Sequence, residues 1–174
     1  MLDYLEGVRG ASPVPPVAGR TAASLWRQVV AWHVALGHVT ASGPSWAATG
    51  WAGRDEAMPD GDARVWWHLV ELGDAAALAA ESQAMRHCVY SYAYLCRAGA
   101  ASIWSLRRRV ERPGELGRAR SIVTVEVDPR SRTIVQVRGF ANRRATGPGV
   151  DVIRRWAAEH QLAWSAAVLT TLAG

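Results

Sequence analysis

The chain has 174 residues, 49% of them hydrophobic and 20% charged, which suits one domain with a substantial core and excludes global disorder. Its formal net charge of +5 is carried by arginine alone, since lysine is absent. The opening Met1-Leu2-Asp3-Tyr4-Leu5-Glu6 lacks the basic and apolar regions of a secretory signal. No run reaches the roughly 18 apolar residues that a membrane span requires, so no membrane association is expected.

Residues 1–20 hold Ser12-Pro13-Val14-Pro15-Pro16, which disfavours helix and predicts a weakly ordered N-terminal segment. A single α+β domain is expected over 21–174. From Thr21 to Gly37 the pattern is helical, with Leu25, Val29, Trp32 and Leu36 on one face. Residues 40–63 read as a long loop that Trp46 and Trp51 pin to the core. Arg64 to Leu72 reads as a strand, apolar on both faces and so central or covered twice.

Gly73-Asp74 starts a helix, with Asp74 as its cap. A break is expected near His87, then a second helix to Arg97 ended by Ala98-Gly99. Three strands follow, over 102–109, 120–127 and 133–138, the last two joined by the turn sequence Asp128-Pro129-Arg130-Ser131. They predict an antiparallel meander, giving a sheet of about four strands packed by helices. After the 139–150 loop, Asp151 is expected to cap a last helix presenting Val152, Ile153, Trp156 and Ala157. The tail from Leu162 is apolar and fits either helix or strand.

Charge is unevenly spread. Residues 1–85 hold five Arg against nine acids, net −4, whereas residues 86–155 hold fifteen Arg against five acids, net +10. Such a centre fits a polyanion, DNA or RNA, with Arg107, Arg108, Arg109, Arg138, Arg143 and Arg144 as candidate phosphate ligands. The plain alternative is a solvated basic face, or one covered by the acidic N-terminal half.

Polar chemistry gathers in Arg86-His87-Cys88-Val89 and again in Gln136-Val137-Arg138-Gly139-Phe140-Ala141-Asn142. Cys88 at a helix start, beside Arg86 and His87, has the setting of an activated thiol; the alternative is a small buried hydrophobe. Gln136 and Arg138 share a strand face, because side chains alternate with period two. Their amide neighbour Asn142 either reads a ligand or pins the loop. Among Tyr90, Tyr92 and Tyr94, residues two apart do not share a helix face. Tyr92 is carried as a site candidate with His87, Cys88, Gln136 and Asn142. Cys88 and Cys96 would stand roughly 12 Å apart on one helix, beyond disulfide reach. Free thiols fit a reducing cytoplasm. No Cys or His spacing suits a metal, and no cofactor motif occurs.

Met85-Arg86-His87-Cys88-Val89, Tyr92, Gly99, Ser105-Leu106-Arg107, Thr124-Val125-Glu126 and Gln136 to Asn142 together resemble the PcfJ-like family of conjugative plasmids. The resemblance covers about residues 64–160. It departs at Tyr90, where a Gly often follows His-Cys-Val, and the usual N-terminal extension looks short. It implies a setting in plasmids, phages and other mobile elements, and no established reaction. Three functional expectations follow. The first is a nucleic-acid-associated accessory module using its arginines, acting alone or beside another mobile-element protein. The second is an enzyme using His87 and Cys88. The third is an interaction module docking an acidic partner.

Overall fold

The computed structural model describes residues 45–173. The segment 1–20 and the helix expected over Thr21 to Gly37 lie outside the described residues. Seven strands form one sheet: β1 Arg54–Asp60, β2 Ala63–Glu71, β3 Ser102–Arg112, β4 Glu115–Leu116, β5 Arg120–Asp128, β6 Thr133–Gly139 and β7 Ala163–Trp164. Their order is β1-β2-β3-β5-β6-β7, with β4 paired to β3 alone. Among the described residues four α-helices accompany them: α1 Ala75–Met85, α2 Ala93–Arg97, α3 Pro148–Glu159 and α4 Ala166–Ala173.

The α+β class and the antiparallel neighbours β3, β5 and β6 agree with the sequence reading, although the two-residue β4 intervenes between β3 and β5 in the chain. The four-stranded, purely antiparallel sheet does not. The sheet is mixed, because β7 runs parallel to β6 after the α3 crossover. It is also wider, because β1 occupies what reads as loop. The sequence of β1, Arg-Asp-Glu-Ala-Met-Pro-Asp, holds no β-branched or aromatic residue, so propensity hides it. It is an edge strand, where a proline and charges are tolerated and guard against further pairing. The hairpin loop lies just beyond it, at Gly61-Asp62, with Gly61 at φ 62°.

The strand alternation sorts residues onto two faces. One face carries Val65, Trp67, Leu69, Trp104, Leu106, Val123, Val125, Val127, Ile134 and Val137, all buried in the main core. Helix α3 packs there through Val150, Val152, Ile153 and Trp156, and α4 through Val168. Trp156 sits against Trp104 with ring centroids 4.6 Å apart, and Trp51 meets its edge at 6.5 Å. Close approach of α3 needs Gly149, where a Cβ would stand 3.1 Å from Leu106 and 3.2 Å from Trp67. The start of α3 corrects the expected Asp151 cap. Gly147 precedes Pro148 in the first turn, and Asp151 instead takes a bond from Arg154 at 3.1 Å.

The other face carries α1, a 3-10 turn over Val89–Tyr92, and α2. Leu72, Leu78, Val89, Cys96, Ala101 and Ile103 form a smaller core there, with Trp46 packed against it. Asp74 caps α1 by accepting from the Ala77 amide at 2.7 Å. The expected break falls at Arg86, which adopts left-handed φ 53° and ψ 48°. Strand β2 is therefore covered on only part of this second face, where Trp66 and His68 remain half-buried.

Trp156 joins the sheet to α3, so Trp156→Ala is expected to lower unfolding free energy by about 3–5 kcal/mol, the usual cost of truncating a buried large aromatic. Urea denaturation measures it; a loss below about 1 kcal/mol would show the Trp104–Trp156 contact is not a main element of the core.

Candidate functional site

Helix α1 places Leu78, Glu81 and Met85 on one stripe facing the sheet, and all three are buried. Glu81 is a carboxylate only 2% exposed. It is satisfied from below. Its Oε2 accepts from Ser105 Oγ and Ser121 Oγ, each at 2.8 Å, and its Oε1 accepts from Thr124 Oγ1 at 2.7 Å. A β-bulge makes this possible: the β3–β5 register shifts after Leu106, so Ser121 and Thr124, three apart, reach the same face.

The chain then turns at Arg86 and drops His87 beneath the end of α1, 4% exposed. His87 Nε2 lies 2.8 Å from Thr124 Oγ1. The single hydroxyl hydrogen of Thr124 is given to Glu81, so Oγ1 accepts and the proton of the imidazole sits on Nε2. Burial holds His87 below its ordinary pKa, against the opposing pull of Glu81.

Beside this network opens a cavity of about 350 Å³. His87, Cys88, Tyr92, Gln136 and Asn142 all line it, together with Arg138, Thr124, Glu126, Val89 and Ile103. The five candidates from two distant stretches of sequence thus meet at one place. Gln136 stands across from Glu126, and Arg138 across from Thr124, on neighbouring strands. Burial raises the Glu126 carboxyl, a hydrogen bond from Tyr92 lowers it, and Asp128 raises it further, with a net upward shift. At the rim, Ala141 and Asn142 both take left-handed backbone at φ 53° and 61°. Such conformations in non-glycine residues persist where surrounding structure enforces them, as at ligand sites. Also at this end, Arg86 lies over the exposed Phe140 ring, 5.5 Å from its centroid.

Cys88 is half-buried at the start of the Val89–Tyr92 turn, while Cys96 is buried in the smaller core and its thiol is pushed up to about 12 by burial. Tyr90 is half-buried and Tyr94 exposed, so of the three tyrosines only Tyr92 lines the cavity.

The six nominated arginines divide. Arg107, Arg109 and Arg138 share the α1 face of the sheet; Arg108 projects from the opposite face, over Trp67 at 6.0 Å. Arg143 is exposed beside the cavity rim, and Arg144 donates to the Leu172 carbonyl at 2.7 Å. Sequence reasoning missed what accompanies Arg107 and Arg109 on the part of that face beyond α1. Trp66 and His68 stack there, 6.2 Å apart and within 10° of parallel. Arg64 and Arg109 stand over the Trp66 ring at 5.9 and 5.5 Å, and Arg107 pairs across from His68. The available signal was period two: Arg64, Trp66 and His68 alternate with the buried Val65, Trp67 and Leu69. Glu81 was missed as well, although an acid between Leu78 and Met85 in a buried stripe marks it.

Residues 70–148 match the family model of the PcfJ-like proteins. That PcfJ-like segment runs from the end of β2 to the start of α3 and contains every residue lining the cavity and all six nominated arginines. Trp66 and His68 precede it. No curated protein and no solved structure matches the chain.

The sign of the His87 shift gives a pH prediction. Its folded value lies below the unfolded value of about 6.5, so the unfolded chain takes up the proton first. Its contribution to stability is present above that pH and is lost as pH falls through about 6.5 toward the folded value. Denaturation of wild type and His87→Gln at several pH values between neutral and mildly acidic should show a shallower acid loss in the variant. Parallel pH profiles would mean that His87 is not held neutral by the fold.

Proposed function

We propose that this PcfJ-like domain binds single-stranded or otherwise exposed nucleic acid through the α1 face of its sheet, as a cytoplasmic accessory module of a plasmid or phage. One observation carries the reading. Among the described residues, none of the six nominated arginines is in an ion pair, whereas Arg54, Arg154 and Arg155 are. The nearby acids bond other groups: Glu56 to Arg54 and Arg155, Asp55 to His68, Glu71 to Thr49 and Ser102, Glu81 to the hydroxyl network, Glu126 to Tyr92, and Glu111, which shares the face of Arg107 and Arg109, to the Trp66 indole. Positive charge outside any ion pair, with Arg109 held over the Trp66 ring, suits phosphates. A guanidinium fixed over an indole loses less freedom on binding, and its fork matches phosphate oxygens. Among the described residues no helix is long and apolar enough to cross a membrane.

A second reading has an observation of its own. His87 and Cys88 line one cavity with six further polar side chains, which favours a cysteine–histidine enzyme acting on a small group. Selective alkylation of Cys88 near neutral pH, with loss of a turnover, would replace the first reading by this one. Association with an acidic protein and none with DNA or RNA would replace both.

The binding experiment titrates labelled single-stranded DNA, single-stranded RNA and duplex DNA over a range of salt. Combined Arg107→Gln, Arg109→Gln and Arg143→Gln should weaken binding by about tenfold or more at low salt and flatten the slope of log K against log salt by roughly 2–3, from about 0.7 per lost phosphate contact on a single strand to about 0.9 on duplex DNA. Folding is followed in parallel by urea denaturation: Arg143 is exposed, where a substitution usually moves stability by about 0.5 kcal/mol, whereas Arg107 and Arg109 are half-buried. Wild-type protein that ignores all three ligands at low salt would overturn the proposal.

A further inference from the structure

The cavity has a polarity along its length. At one end lie Glu126 and Gln136, side by side on β5 and β6; at the other lie Arg138 and the rim residue Asn142. Val89 and Ile103 supply apolar wall. Among the described residues, the side chains of Gln136, Arg138 and Asn142 hydrogen-bond no other side chain, although Gln136 and Arg138 are half-buried. Polar groups in a protein cavity that lack protein partners are ordinarily met by water or a ligand. These three offer a charged fork and two carboxamides, each carboxamide both donor and acceptor. The nearby carboxyl of Glu126 disfavours an anion at the Gln136 end and leaves Arg138 as the place for one.

We propose that this cavity seats a single nucleotide, with its phosphate on Arg138 and the edge of its base on the Gln136 carboxamide. The proposal rests on the nucleic-acid reading for the identity of its ligand and deepens it: one nucleotide of a bound strand would leave its stack and enter. An unstacked base is read by hydrogen bonds to its edge while apolar side chains cover its faces, which is what Gln136, Val89 and Ile103 provide. Amide side chains also make paired bonds to base edges. The volume, about 350 Å³, falls within the roughly 300–1,000 Å³ of small-molecule sites. Inorganic phosphate alone would satisfy Arg138 and leave both carboxamides and the apolar wall without a partner.

The test titrates the full chain calorimetrically with adenosine, guanosine, cytidine and uridine 5′-monophosphates, and with adenosine and inorganic phosphate as controls. At least one nucleotide should bind saturably, and more tightly than either control. Gln136→Ala and Asn142→Ala should each weaken it by about tenfold, and Arg138→Gln by at least as much, as expected for losing a bond to an uncharged or charged group. Arg107→Gln with Arg109→Gln should leave it unchanged. Because Cys88 lines the same cavity, the bound nucleotide should slow its alkylation by iodoacetamide, a readout that a misfolded variant cannot imitate. No binding and no protection of Cys88 by any of the four nucleotides at millimolar concentration would overturn the proposal. Nucleotide binding equal to that of phosphate, or untouched by the Gln136 and Arg138 substitutions, would overturn it too. The two readings separate cleanly. Nucleotide uptake without oligonucleotide binding supports the pocket and overturns the strand surface. Oligonucleotide binding with no nucleotide uptake does the reverse.

Discussion

The buried carboxylate of Glu81 sets the arrangement of the whole α1 face. Moving a carboxylate out of water costs several kcal/mol after relaxation, and a helix would not carry one into a sheet without compensation. Here Ser105, Ser121 and Thr124 give it three short hydrogen bonds from two strands. Bonds to a charged acceptor are stronger than neutral ones, and they are directional. They therefore fix where α1 crosses the sheet and how far along it lies. An apolar stripe alone would permit sliding; the carboxylate permits one position. Thr124 extends the network to His87 and so orients the first residue after the turn.

The cavity is a consequence of that anchoring. Once α1 is fixed over β3 and β5, the turn at Arg86 must bring the chain back across the sheet. Val89 enters the smaller core, and Cys88 and Tyr92 stand over β5 and β6. A second bulge, where the β5–β6 register shifts between Glu126 and Val127, keeps both Ile134 and Val137 in the main core. Gln136 and Arg138 are thereby left on the cavity side. The two faces of one sheet thus divide the labour. The α3 face is packed with tryptophan and aliphatic residues, and the α1 face combines a small core with polar groups.

Much of this was legible in residue order. Alternation located β2, β3, β5 and β6, and Asp74 marked the start of α1, because a side-chain cap and a strand pattern are local properties. The meeting of His87 and Cys88 with Gln136 and Asn142 is not a local property: it depends on Val89 and Ile103 being buried together in the smaller core. What stayed hidden depended on partners distant in sequence. Strand β1 is made of residues that avoid strands and exists because β2 offers it an edge. Strand β7 is two residues long and depends on α3 to deliver it. Ser121 and Thr124 have opposite parity, and only the bulge puts them together. Arg108 could not be separated in function from Arg107 and Arg109 until alternation was combined with knowledge of which face α1 covers.

The central claim is that Glu81 positions α1 and, through it, the turn that closes the cavity. Hydrogen–deuterium exchange of Glu81→Ala tests this most directly, because the three hydroxyl groups would lose their shared acceptor while the Trp104–Trp156 core stays untouched. The account predicts faster exchange in α1 and residues 86–97, with β3, β5 and α3 still protected. Uniform loss of protection across both faces, or no change in α1, would contradict it.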